Sequence, residues 1–317
     1  MNKLISVFKK YRSFLVTTHA NMEGDAIGSA LALAKLLRLM GKKVVVVNED
    51  LVPSQYSFLP QVKLIKKPEH SLDFDAVAVV DCSDLSRVGN VINIIPRSKI
   101  IVNIDHHAKN DNFAKVNFVD PKASSCSEMI YRLFKFCKKP IDKETALLLY
   151  VGILTDTGSF KYSNTNSTTH KIAADLLRFR FNVYQTYKNI YSNLNITDAK
   201  IILSILKNIK FDNSGKIVYL EQKKEQINLN SDYDISEYVL DFARSIKGVE
   251  VVLFFKETIE KNKIRINLRS KGNFDVNKLA SVFSGGGHKT ASGCSIRGTL
   301  GFAKKQVLAA AKKLLEG

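Results

Sequence analysis

His19, Glu23 and Asp25 lie in the run THANMEGDAIGS, directly after the apolar segment FLVTT. Asp81 follows AVAVV, Asp105, His106 and His107 follow IIVNI, and Asp156 closes LLLYVGIL. Taken singly, each has an ordinary structural role: Asp25 could cap the helix after it, Asp81 could begin a turn, and Asp156 could be a loop acid. Taken together they form a set that ordinary roles do not explain. Carboxylates placed side by side repel one another and raise each other's pKa values, and the common remedy is bound divalent cations. Oxygen donors with a few imidazoles and no thiolate favour manganese, with magnesium or a similar ion next, over structural zinc. The donors suffice for two ions. Two ions about 3.5 to 4 Å apart activate a water and clamp a phosphoryl oxygen, which hydrolyses phosphate esters without a protein nucleophile. Serine-hydrolase, P-loop and dinucleotide chemistry are disfavoured, because GxSxG, GxxxxGK[ST] and GxGxxG are all missing.

These residues can meet only if the elements before them converge. Up to about residue 185 short β-branched runs alternate with amphipathic stretches: FLVTT, a helix from Ala26 to Met40, VVVVN, AVAVV, IIVNI, then helices near 124 to 137 and 142 to 155. That alternation predicts an α/β domain whose mainly parallel sheet is flanked by helices, and ligands bind such sheets outside the carboxyl ends of the strands. Past ITDAKIILSILKNI the pattern becomes KIVYLEQ, VEVVLFFKE and KIRINLRS, strands with hairpin-like spacing, followed by helical VNKLASVF and AKKQVLAAAKKLL. The expected organisation is a catalytic domain over 1–188, a helical linker over 189–209 and a smaller α+β domain over 210–317, with the active site in the cleft between domains.

The 317 residues are 45% hydrophobic and 25% charged, which excludes disorder and is more than one core usually needs. Lysine and arginine number 48 against 30 acids, a net +18 that favours an anionic partner; half of it, +9, falls in residues 251–317. Part of the excess is compositional bias on solvated surface. No apolar run approaches the roughly 18 residues of a membrane span, and MNKLISVFKKYRS has no signal-peptide core, so a cytoplasmic protein that does not meet a membrane is expected. Cys82, Cys126, Cys137 and Cys294 lie far apart with no CxxC pair and read as buried thiols.

The basic end holds a second candidate. Gly285, Gly286 and Gly287 precede His288 and Lys289, and backbone N–H groups of a glycine run can approach an anion closely because no Cβ stands in the way. A glycine turn alone is more often only a turn. Arg269 could grip a terminal phosphate bidentately, or be an exposed strand-end arginine. Phe160, Tyr162 and Phe283 could stack on a base but read as core.

The set resembles the DHH phosphoesterases, named for the triplet that Asp105, His106 and His107 match. THANMEGDAIGS, VVDCSDLSRVG, NIDHH and GILTDTGSFKYSNT are similar to the family's four motifs in order, and FSGGGHKTASGC to the signature of the accessory DHHA1 domain. The resemblance implies one ion held by His19, Glu23 and Asp81 and another by Asp25, Asp81, His106 and Asp156, with Asp81 bridging. Catalysis would rest on Asp81, His106, His107 and Asp156. Glu23 departs from the family, which generally has aspartate there; a functional ligand with altered metal preference is the expectation. His107 is similar to the phosphate-contacting imidazole, and Asp105 is expected to orient the histidines. Arg269, Gly285, Gly286, Gly287, His288 and Lys289 would hold substrate.

Within the family this compact two-domain chain is most similar to the nanoRNase type, which degrades very short RNA and removes the 3′-phosphate of 3′-phosphoadenosine 5′-phosphate. The resemblance therefore implies a two-metal phosphodiesterase and phosphomonoesterase acting on short single-stranded RNA and small phosphorylated nucleotides, as monomer or homodimer. A soluble cyclic di-AMP phosphodiesterase is the alternative, and a nucleotide-binding module without turnover is the alternative outside enzymes.

Overall fold

A computed structural model describes residues 1–69, 72–96, 99–228, 234–287 and 289–316. The chain divides into two units, Met1–Asn193 and Leu194–Gly317. In chain order the first unit contains α1 (Asn2–Lys10), β1 (Ser13–Thr17), α2 (Gly24–Leu39), β2 (Lys43–Val47), β3 (Ile65–Lys66), β4 (Ala76–Val80), β5 (Ile100–Asp105), β6 (Val116–Val119), α3 (Cys126–Phe136), α4 (Lys143–Asp156), α5 (Ser167–Leu177) and α6 (Val183–Tyr191). The second contains α7 (Ile196–Lys207), β7 (Lys210–Phe211), β8 (Ile217–Gln222), α8 (Ser236–Ser245), β9 (Val251–Glu257), β10 (Lys263–Ser270), α9 (Val276–Ser281), β11 (Gly286–Gly287), β12 (Ala291–Arg297) and α10 (Leu300–Glu316).

The first sheet runs β3-β2-β1-β4-β5-β6 and every neighbouring pair is parallel, as the alternating pattern predicts. Its central strands β1 and β4 are almost wholly apolar because both faces are covered. Phe14 and Val16 of β1 and Ala76, Ala78 and Val80 of β4 face a core shared with α2, α3 and α4. Leu15, Val77 and Val79 face a smaller core with Phe74, Val88 and Val91. Truncating one such fully buried leucine to alanine costs about 2–5 kcal/mol, so register is strongly held. The strand order reverses between β1 and β4, and at such a reversal a crevice opens at the carboxyl ends of the two strands.

Two glycines let the covering helices approach closely. A Cβ on Gly28 of α2 would strike the Leu148 carbonyl of α4, and one on Gly152 of α4 would strike the Ser127 hydroxyl and come within 2.6 Å of Asp25 Oδ1. The close packing brings Asp25 on α2, the start of α3 and the end of α4 to one place. α3 and α4 begin where Ser125 and Asp142 accept from the backbone N–H groups of Glu128 and Thr145.

The second sheet runs β11-β12-β10-β9-β8-β7 and is mixed. β9 and β10 form the antiparallel pair that their spacing predicts, but β8 and β9 pair in parallel. The hairpin expected there is replaced by a crossover through α8, since parallel neighbours need a connection long enough to return the chain. The stretch expected as a linker holds all of α7, whose Ile202 and Ile205 are buried with Val218, Leu220, Val239 and Leu240 of the second unit. Among the described residues no helix is long and apolar enough to cross a membrane.

Candidate metal centre

The carboxyl ends of β1, β4 and β5 deliver His19, Asp81 and the Asp105-His106-His107 triplet to the crevice at the strand-order reversal. Asp81 sits at its middle. Its backbone is left-handed, at φ +55°, a conformation that aspartate tolerates better than most residues and that lifts the carboxylate off the strand direction. His19 Nε2 is 3.6 Å from Asp81 Oδ2, and His106 Nε2 and His107 Nδ1 are 3.7 and 3.8 Å from Oδ1. Asp81 Oδ1 is buried and has no hydrogen-bond partner among the described residues.

Around Asp81 the donors fall into groups whose ligand atoms lie within 4.8 Å of one another. One is His19, Glu23 and Asp81, and another is Asp25, Asp81, His106 and Cys126. Glu23 is the N-cap residue of α2 but its carboxylate makes no capping bond; it reaches back to His19 Nε2 at 3.2 Å, so the longer side chain still meets the imidazole. Asp25 lies in the first turn of α2 and does not cap that helix. It accepts from the Cys126 and Ser127 backbone N–H groups at 2.7 and 2.9 Å, holding the start of α3 to the centre. Asp156 is the last residue of α4, the helix expected near 142 to 155. Its Oδ2 is 3.5 Å from His106 Nε2, and it accepts from Asn164 Nδ2 at its carbonyl, 3.1 Å, and at Oδ2, 3.4 Å.

The charges are mutually dependent. Burial and neighbouring Asp81 raise the Asp25 carboxyl to about 7. Burial acts on Asp81 in the same sense, but His19, His107 and His106 draw it well below the usual carboxylate range. Burial raises Asp156 well above its ordinary value; His106 opposes this, and Asp25 and Asp81 add to it. The helix C-terminus on which it sits is also unfavourable for an anion. Burial works against a charged His106, yet Asp156, Asp81, Asp25 and Asp105 outweigh it and hold its pKa at about 9; Glu23 and Asp81 raise His19 against burial in the same way. Such a cluster fits divalent cations, because it gathers hard oxygen donors and imidazoles around a buried carboxylate oxygen with no hydrogen-bond partner. His19, Glu23, Asp25, Asp81, His106 and Asp156 would hold them, and bound ions would supply an acidified water and neutralise phosphoryl oxygens.

Three participants carry no strong sequence signal. The Asp105 carboxylate, fully buried, accepts from His107 Nδ1 at 2.6 Å and from Asn110 Nδ2 at 2.6 Å, and Asn110 also donates to Asn103 Oδ1 at 2.9 Å. Asp105 therefore orients His107 alone, while His106 Nδ1 faces the Ala123 carbonyl at 3.3 Å. Asn110 follows the triplet and Asn164 ends the YSN run, so proximity to the motifs is the only hint of either. Cys126 was expected as a buried thiol and is buried; burial and the surrounding carboxylates raise its pKa well above the ordinary thiol value, so it remains a thiol whose Sγ–H faces the Ile104 carbonyl at 3.5 Å.

In the second unit, Gly287 at φ +142° and Gly285 lie against β12, where a Cβ on either would strike residues 291–294; at Gly286 a Cβ would meet nothing within 4 Å. Two of the three glycines are thus required by strand packing. Arg269 lies within β10, where its guanidinium pairs with Glu237 of α8 and donates to the Leu268 carbonyl at 3.0 Å. Lys289 is exposed, and His288 lies outside the described residues.

The family model described as DHH family, N-terminal domain matches residues 13–153, and the DHHA1 domain model matches residues 215–317. The chain is 28% identical to the bifunctional oligoribonuclease and PAP phosphatase NrnA of Thermus thermophilus, covering 95% of this chain and 89% of that protein. It is also 28% identical to the Bacillus subtilis protein of the same name, over 93% of this chain and 92% of that one. Among solved structures, an exopolyphosphatase-related protein of Bacteroides fragilis superposes with a TM-score of 0.87 at 28% identity, covering 98% of this chain and 95% of that one.

Proposed function

This chain belongs to the DHH family and carries its DHHA1 domain, and we propose that it is a two-metal phosphoesterase that degrades very short RNA and removes the 3′-phosphate of 3′-phosphoadenosine 5′-phosphate. The observation that carries the reading is Asp81, whose single carboxylate stands 3.6 Å from His19 on one side and 3.7 Å from His106 on the other. One residue thereby belongs to both groups of ligands, which is what two closely spaced ions require. Similarity across nearly the whole chain to the two bifunctional enzymes supports the substrate class.

His19, Glu23 and Asp81 hold one ion, and Asp25, Asp81, His106 and Asp156 the other; manganese is the ion proposed. The ions, when bound, supply the nucleophilic water and stabilise the charge that develops on the phosphoryl oxygens. His107 contacts the scissile phosphate. Its Nδ1–H is committed to Asp105, so the neutral ring presents Nε2 with a lone pair and the protonated ring presents it as a donor. Asp105 fixes the ring plane, and the position of the ring decides which phosphate oxygen it meets. In the second unit Gly286, His288, Lys289 and Arg269 bind substrate phosphate, and engaging Arg269 requires its guanidinium to exchange Glu237 for a phosphate. The protein works in the cytoplasm on small anions, and a homodimer is compatible with this.

The test is manganese-dependent turnover of purified protein on four substrates in parallel: a 5′-labelled RNA trimer, a 24-mer, 3′-phosphoadenosine 5′-phosphate and cyclic di-AMP. Cleavage of the trimer and release of the 3′-phosphate with the 24-mer spared is the expected result. Preferential cleavage of cyclic di-AMP would replace this reading, and silence on all four with retained nucleotide affinity would make the protein a binding module.

A further inference from the structure

The strand starts of the first sheet lie at the edge opposite the metal centre, and four of the five from β2 to β6 carry a cation immediately before the strand. Lys42 precedes β2, Arg12 precedes β1, Lys99 precedes β5 and Lys115 precedes β6; only β4 differs, with Asp75. Because the strands are parallel and adjacent, these residues form a line with steps of about 4.8 Å, about 19 Å from β2 to β6. The one acid, Asp75, accepts at Oδ2 from the Ser13 and Arg12 backbone N–H groups at 2.9 and 3.0 Å, and these bonds with the nearby Lys99 charge lower its pKa, so the line carries four cations against one anion. None of the four cations forms an ion pair among the described residues. Lys9 and Lys10, in the last turn of α1, thicken the line at one end, where Lys42 Nζ donates to the Lys9 carbonyl at 2.9 Å. Lys3 shares a surface cavity with Lys115 at the other.

We infer that this edge is a second nucleic-acid surface, which docks the phosphate backbone of single-stranded RNA too long for the metal centre. A row of cationic residues whose backbone positions are set by the sheet suits phosphates strung along one chain. A bilayer surface would favour cations spread over a plane with apolar side chains between them, and no residue in the line is apolar. The line is separate from catalysis, since it and His19 stand at opposite ends of β1, a strand of five residues or about 17 Å. The surface adds local concentration of RNA around the enzyme and carries no sequence preference, because binding to phosphates positions a strand without reading its bases.

The experiment compares two quadruple variants in manganese-loaded protein. One neutralises the line (Arg12→Gln, Lys42→Gln, Lys99→Gln, Lys115→Gln), and the other removes equal charge elsewhere on the same unit (Lys63→Gln, Lys66→Gln, Lys122→Gln, Lys171→Gln). Affinity for an end-blocked 24-nucleotide single-stranded RNA is measured by fluorescence anisotropy from 50 to 200 mM salt, beside turnover of an RNA trimer. The line variant is expected to lower the slope of log K against log salt by about 3, at roughly 0.7 for each phosphate no longer neutralised, with trimer turnover unchanged; the other variant keeps the parent slope. Equal loss in both variants would reduce the effect to net charge and overturn the inference, as would an unchanged slope in the line variant. Loss of binding to anionic phosphatidylserine vesicles with RNA affinity retained would overturn it in favour of a membrane surface.

Discussion

Asp105 Oδ1 accepts from His107 Nδ1 at 2.6 Å, and the carboxylate is itself held from behind by Asn110 at 2.6 Å. Two acceptors do not approach so closely, so Nδ1 bears the proton and the neutral tautomer is fixed. The support continues into the sheet, where fully buried Asn103 accepts from Asn110 and donates to the Cys82 carbonyl at 3.0 Å. A buried asparagine in a parallel strand is costly unless bonded in this way. Asn110→Ala is expected to lower kcat by about 10- to 100-fold, the usual cost of losing a supporting partner, with manganese affinity unchanged. Steady-state kinetics with a metal titration checks it; a fall in metal affinity equal to the fall in kcat would show that Asn110 serves the ions instead.

Asp81→Asn keeps a residue that tolerates φ +55° and removes the shared charge. Turnover should fall by roughly 10³-fold or more, because both ligand groups lose a member. The metal-stripped variant should unfold earlier than metal-stripped parent, because His19, His107 and His106 hold the Asp81 carboxyl well below its ordinary pKa, and a carboxylate lowered on folding stabilises the fold at neutral pH. Circular-dichroism melts beside turnover test both halves, and retained turnover would remove Asp81 from the bridging role.

Glu23 contributes from a half-exposed position, 49% accessible at the side chain, where water can take its place. Glu23→Gln is therefore expected to raise the manganese concentration for half-maximal activity by about tenfold, some 1.4 kcal/mol, with maximal turnover within a few-fold of parent. Glu23→Asp puts a strong capping residue at an N-cap position, so its carboxylate is drawn toward the α2 backbone and the melting temperature should rise slightly. Activation curves for the two variants separate ligation from capping.

At the far end of α4 from Asp156, Asp142 caps the helix through Thr145 and pairs with Lys35 at 2.9 Å. Burial opposes its ionisation, but the bonds from Thr145 and Lys35 prevail and lower its pKa from 3.8 to about 2. A carboxyl lowered on folding stabilises above its unfolded pKa and loses that stabilisation as pH falls through the folded value. Asp142→Ala should cost about 1 kcal/mol at neutral pH. The gap in melting temperature between parent and variant should close between pH 4 and pH 2, and a gap constant across that range would show that the carboxylate charge does not matter.

Chelation offers the simplest check of the centre as a whole. Stripping divalent ions should abolish turnover, and manganese at 100 times its dissociation constant should restore it with about 2.7 kcal/mol of added stability for each site filled. Turnover that survives exhaustive chelation would remove metals from the mechanism.

The sequence by itself determined the fold class and the strand ends that bear His19, Asp81 and the Asp105-His106-His107 triplet, and its likeness to the DHH phosphoesterases proposed His19, Glu23, Asp25, Asp81, His106 and Asp156 as metal donors. Those are local properties: a β-branched run makes a buried strand wherever it pairs, and a carboxylate or imidazole after it lies at the carboxyl end of the sheet. What depends on pairing over long separations was decided only by the tertiary structure. The Gly28 and Gly152 approach brings Asp25 and Asp156 together from helices over a hundred residues apart. Asp105 serves His107 and not His106 because Asn110 returns to the sheet beside it. Gly285 and Gly287 are needed by β12 before any ligand is considered, Arg269 is paired with Glu237, and α8 turns an expected hairpin into a parallel crossover. The line of Lys42, Arg12, Lys99 and Lys115 exists only once the strands are in order, since no spacing in the chain marks residues that become neighbours through sheet register.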